Sequence, residues 1–135
     1  MINQIFVNLP VNDLDASKAF WSGLGFKFNP TFTDENGACL ILGDTIFVML
    51  LTKPFFESFT QKPTADPSVV VEAINALQVE SREAVDKIVA NGATHGVEFG
   101  RRPEDPEWMY SRTFKDPDGH NWELFYMNES EMTEE

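Results

Sequence analysis

The chain is poor in the features that staple, anchor or strongly charge a protein. Its 135 residues include one cysteine, Cys39, so no intrachain disulfide can form and a disulfide-built scaffold is excluded. Cys39 sits in Ala38-Cys39-Leu40-Ile41, a setting that predicts a small buried hydrophobe rather than a nucleophile. No apolar run approaches the roughly 20 residues that cross a bilayer as a helix. Met1-Ile2-Asn3-Gln4 carries neither the basic nor the apolar part of a secretory signal, so a cytoplasmic location is expected. Positive charge is scarce: 10 Lys and Arg stand against 22 Asp and Glu, a net −12. Such a surface repels phosphates, which argues against nucleic acid and anionic membrane as partners but leaves room for a cationic guest. No Gly-rich phosphate loop, nucleophile elbow or paired zinc-ligand spacing occurs.

What is present is an internal echo. Ile5–Val11 reads as a strand, followed by Asp13 as a helix N-cap and by Leu14, Ser17, Phe20, Trp21 and Leu24 at helical spacing, closed by Gly23 and Gly25. Strand signals follow over Phe26–Phe32, Gly37–Leu42 and Thr45–Leu51, with Gly43-Asp44 at a hairpin. Halfway along the chain the order repeats. Ile74–Val79 reads as a strand, Ser81 as an N-cap and Arg82–Val89 as a helix stopped by Asn91-Gly92. Strand signals then cover Thr94–Phe99, Met109–Lys115 and Asn121–Met127, the last two joined by the turn Asp116-Pro117-Asp118-Gly119.

The expected fold is therefore α+β: two βαβββ modules, each too small to bury its own sheet, which pair and share an interior. Module one spans residues 1–61, a Pro-bearing connector 62–68, module two 69–128 and an acidic, frayed tail 129–135. A short helix over Pro54–Phe59 brings Phe55, Phe56 and Phe59 together, an apolar cluster that needs cover.

The repeated order resembles the vicinal oxygen chelate superfamily of glyoxalases, bleomycin- and fosfomycin-resistance proteins and extradiol dioxygenases. Val11-Asn12-Asp13-Leu14-Asp15-Ala16-Ser17 opens its first helix, and Asp116-Pro117-Asp118-Gly119-His120-Asn121-Trp122-Glu123-Leu124 closes its last hairpin. The resemblance implies that the two modules form a curved, barrel-like mixed sheet around a cavity, in which enzymatic members hold a divalent metal on His or Gln of each opening strand and Glu of each closing strand. Carried over residue by residue, the positions are Glu123, Met49, Phe6 and Ile74 (or Ala73, one residue away). Only Glu123 can ligate a hard or borderline ion, so the resemblance predicts no cofactor and a lost metal site. A divalent ion would need relocated ligands, for which His120 is the candidate; His95 with Glu98 is a weaker one.

Strand alternation then gives an expected lining. Phe6, Asn8, Phe47, Met49, Ile74, Glu123 and Phe125 point inward, with Trp108 and Tyr110 near the mouth. If the hairpin loop is Asp116–Gly119, Arg112 lies opposite Glu123 and pairs with it. Together with the resemblance, these residues imply a small-molecule binding protein with a cationic or aromatic ligand, and the family's common dimerisation implies a homodimer. The alternatives are a metal-dependent lyase or dioxygenase with relocated ligands, a metal-free isomerase with Glu123 as base, or an oligomerisation module.

Overall fold

Asp13 and Ser81 start the two long helices as their side chains dictate: each accepts a hydrogen bond from the backbone N–H three residues on, at Ala16 and Ala84, both 3.0 Å. The computed structural model describes residues 1–132. The chain divides into two compact units, Met1–Asp66 and Pro67–Glu135.

In the first unit, β1 (Ile5–Val11), α1 (Leu14–Leu24), β2 (Lys27–Asn29), β3 (Gly37–Ile41), β4 (Ile46–Thr52) and α2 (Lys53–Thr60) follow one another. The sheet order is β1-β4-β3-β2, with β1 parallel to β4 and the other pairs antiparallel. α1 ends at Gly25, whose φ of 103° a side chain would resist. β2 is shorter than its apolar run suggests. Asn29 accepts from the Thr31 N–H, and Pro30 has no N–H to give a ladder, so Pro30–Phe32 form a 3-10 turn instead. Trp21 and Leu24 of α1 are buried with Ala38, Leu40, Val48 and Leu50, which alternate onto one face of the sheet. Burying each leucine or valine of this set contributes about 1.5–3 kcal/mol.

The second unit repeats the scheme with β5 (Ile74–Gln78), α3 (Arg82–Ala93), β6 (Met109–Lys115) and β7 (Asn121–Met127). Its order is β5-β7-β6, with β5 parallel to β7. Here Val85, Leu124, Trp122 and Phe114 are buried, with Phe114 stacked on Trp122 at 6.3 Å. The α+β, two-module order of the sequence holds, but the strand expected over Thr94–Phe99 does not form. The N–H groups of Thr94, His95, Gly96 and Val97 bond back to carbonyls at the end of α3, and Pro103 and Pro106 lack donors. What survives is a single bridge, Gly100 to Thr113, on the free edge of β6.

The β6–β7 register also differs from expectation. Lys115 pairs with Asn121 rather than His120, and the Asp116 N–H donates to the His120 carbonyl at 3.2 Å, so three residues, Pro117–Gly119, form the loop instead of four. Gly119 takes φ 93°, the left-handed third position of this shorter loop. A Cβ there would also lie 3.2 Å from the Ser68 backbone nitrogen. The frayed tail falls partly on residues 133–135, outside the described residues, while Glu129–Glu131 form a 3-10 turn. Among the described residues no helix is long and apolar enough to cross a membrane.

Candidate functional site

Each sheet turns one face to its helix and leaves the other more open, and alternation decides which side chains each face shows. In the first unit the open face carries Phe6 opposite Phe47 and Asn8 opposite Met49. The Phe6 and Phe47 rings stack at 4.8 Å with an interplanar angle of 16°. Phe6 is nevertheless 46% exposed, so an aromatic pair presents its surface to solvent. Asn8 donates to the Phe6 carbonyl at 3.2 Å.

In the second unit the open face carries Glu123 on the central strand β7, flanked by Ala76 on β5 and Thr113 on β6. Phe125 is next along, flanked by Gln78 and Ser111, and Ile74, 64% exposed, stands beside Asn121. Glu123 is buried. Its partner is Arg102, not Arg112: the Arg102 Nη2 lies 2.6 Å from both carboxylate oxygens. Two residues along the same face, the Ser111 hydroxyl donates to Asp105 Oδ2. Arg102 and Asp105 both come from the loop between the Gly100 bridge and β6.

The expected Arg112–Glu123 pair is thus overturned by the register. Arg112 lies opposite Leu124 and Tyr110 opposite Tyr126, on the face that α3 covers. There the Tyr110 hydroxyl donates to Asp86 at 2.5 Å, and Arg112 stacks 4.4 Å from the Tyr110 ring centroid while donating to its oxygen. The bond to Asp86 pushes the Tyr110 phenol above its ordinary pKa. Trp108 is half-buried, and its carbonyl accepts from the Asn128 N–H at 2.8 Å. The structure therefore groups Phe6, Asn8, Phe47 and Met49 on one open face. It groups Ile74, Glu123 and Phe125 on the other, and sets Tyr110 and Arg112 apart from both. Arg102 escaped the sequence reading because nothing local ties it to Glu123; the contact spans 21 residues and needs the chain to turn back after Gly100.

A metal at the Glu123 position does not fit these residues. The neighbours of Glu123 in register are Ala76 and Thr113, those of Met49 are Asn8 and Cys39, and both Glu123 oxygens already accept from a guanidinium. A different cluster is present. Asp116, Asp118 and His120 place one ligand-type atom each within 4.8 Å of one another. The sequence reading singled out His120 but not the two aspartates, although their i, i+2, i+4 spacing around a turn was visible.

The chemistry of Asp116 argues for a brace. Its Oδ1 accepts from the N–H of Asp118 and of His120, and its Oδ2 from the Trp122 indole, all at 3.0 Å. His95 likewise serves its own loop, bonding the Asn91 carbonyl at 2.9 Å at the end of α3. Burial raises the Asp116 carboxyl above the ordinary 3.8, with the Trp122 indole and His120 opposing. A carboxyl raised by folding adds stability that is complete below 3.8 and is lost as pH rises through the raised value. A carboxyl-carbon NMR titration is expected to show Asp116 titrating above 3.8 in the folded protein, with the opposite direction refuting the burial argument.

In the first unit a cleft of about 500 Å³ opens at the start of α1, lined by Asp13, Asp15, Lys18, Asp34 and Glu35. Three of its carboxylates are engaged locally. Asp13 caps α1, Asp15 lies 4.0 Å from Lys18, and Asp34 accepts from the amides of Asn36 and Gly37.

Comparison with known proteins agrees with this architecture. The profile of the glyoxalase/bleomycin resistance protein/dioxygenase superfamily matches residues 2–124. No match is found among curated proteins. Among solved structures, hypothetical protein SA1046 from S. aureus is 28% identical with a TM-score of 0.74, covering 93% of this chain and 94% of that one. A glyoxalase/bleomycin resistance protein/dioxygenase family enzyme from Burkholderia phytofirmans PsJN is 18% identical with a TM-score of 0.73, covering 91% of this chain and 97% of that one. TnmS3, an antibiotic binding protein from Streptomyces sp. CB03234, is 21% identical with a TM-score of 0.65, covering 95% and 98%.

Proposed function

The chain belongs to the glyoxalase/bleomycin resistance protein/dioxygenase superfamily, and on that premise we propose that it binds a small aromatic organic molecule on its open sheet faces, with no metal ion at Glu123. The observation that carries this reading is the stacked Phe6–Phe47 pair, whose outer ring remains 46% exposed. An aromatic guest adds a third layer to such a stack, worth about 0.5–1.5 kcal/mol beyond its buried area. The antibiotic-binding neighbour supports binding as a role this fold can host. A base at Glu123 would first have to release Arg102, and this weighs against the isomerase alternative. We propose further that the protein works as a homodimer. Phe59 on α2 is 67% exposed beside Phe55, an apolar surface that suits self-association. The mass in solution tests it.

The binding test uses planar aromatic compounds of either charge, followed by NMR at the Phe6 and Phe47 ring resonances. Saturable shifts are expected, with Phe6→Ala weakening binding roughly 3–10-fold. Absence of shifts across the panel would defeat the reading. So would stoichiometric Zn, Mn, Ni or Fe binding that Glu123→Gln abolishes, because it would restore the metal-dependent alternative.

A further inference from the structure

We propose that Arg102 anchors the ligand of the second unit's open face, and that the group it recognises is a carboxylate. This rests on the reading of that face as ligand-binding and adds the chemistry of its guest. The inference begins with which half of the ion pair solvent sees. The Glu123 side chain is 4% exposed and the Arg102 side chain 46% exposed. Glu123 is hidden, Asp105 further along the face is half-buried and held by the Ser111 hydroxyl, and the cation faces outward, so a guest arriving at Arg102 meets positive charge although the chain carries −12 overall.

Arg102 is also only partly used. A guanidinium has five N–H donors on three nitrogens. Nη2 faces both oxygens of Glu123, and the donors on Nε and Nη1 have no partner among the described residues. Glu123 fixes the head group, so little rotamer freedom is lost when a second acceptor docks. Phe125, Ala76 and Ile74 share the face with Glu123 and offer an apolar seat for the body of the ligand. A monoanionic, planar carboxylate fits better than a phosphate. It matches charge-assisted N–H donors and sets one negative charge rather than about two against the acidic surface.

The test compares naphthoate with its neutral amide and with naphthylmethylammonium, in wild type, Arg102→Gln and Arg102→Lys. The lysine variant keeps a cation for Glu123, and with it the fold, while losing the Nε and Nη1 donors. Wild type is expected to bind naphthoate about tenfold or more tightly than either analogue, with the Arg102 Nε–H resonance shifting on binding. Arg102→Gln is expected to lose that preference and Arg102→Lys to keep no more than about a third of the affinity, while the amide binds all three alike. If naphthoate and amide bind wild type equally, or Arg102→Lys binds naphthoate as wild type does, the anchor is overturned and the aromatic-face reading stands. If none of the three compounds binds, both are overturned.

Discussion

Replacing Asp116 by alanine is expected to destabilise the second unit by about 2–4 kcal/mol, read as the urea midpoint in chelator-treated protein. Three donors lose their acceptor at once: the N–H groups of Asp118 and His120 and the indole N–H of Trp122. Trp122 is buried, so its indole has little recourse to water, and each buried donor left unmet costs about 1–3 kcal/mol. Against this stands relief of the desolvation that raises the Asp116 carboxyl, which reduces the loss without reversing it. Asp116→Asn keeps an oxygen but turns an amide N–H toward one of the donors, so it should fall between, at about 1–2 kcal/mol. The comparison separates a brace from a metal cage. In a metal cage the loss with chelator would remain, since the three hydrogen bonds need no ion, but wild type alone would gain stability from added Zn or Mn. A brace predicts the loss with chelator present and no metal dependence.

This turn also shows how far the sequence could be read. The N-caps Asp13 and Ser81, the αL stop at Gly25 and the alternation of Val48, Leu50, Trp122 and Leu124 are local chemistry. A linear reading finds them because each depends on neighbours a few residues away. Asp116–Gly119 was recognisable as a turn, but its length was not. The turn residues suit a loop of three or of four, and that one residue of difference carries Arg112 from beside Glu123 to the α3 side. The strand expected over Thr94–Phe99 failed for a related reason. Its apolar residues suit a strand, but the end of α3 takes up the amides of Thr94–Val97 first. Strand parity is equally local, which is why Phe6, Phe47, Met49 and Glu123 fall on the faces turned away from the helices. The partner of Glu123 could not be found this way, since Arg102 reaches it only through the path of an irregular loop.

The second large effect concerns that pair. Arg102→Ala is expected to cost about 2–3 kcal/mol, because it leaves a carboxylate with 4% of its side chain exposed and no counterion. The figure sits below that for a fully buried pair because Arg102 itself is half in water and water can reach part of the vacated space. Glu123→Gln should cost less, about 1 kcal/mol, since the amide oxygen still accepts from Nη2 and the arginine left behind is well solvated. The decisive species is the double variant Arg102→Ala, Glu123→Leu. With Ala76 and Phe125 as neighbours on the face, an uncharged leucine removes the unpaired charge, and most of the loss seen with Arg102→Ala should be recovered. A coupling energy near zero, with the separately measured losses of Arg102→Ala and Glu123→Leu simply adding in the double variant, would mean that Glu123 does not depend on Arg102. The oxygens would then be available to a metal or a substrate proton, and the catalytic alternatives set aside above would return.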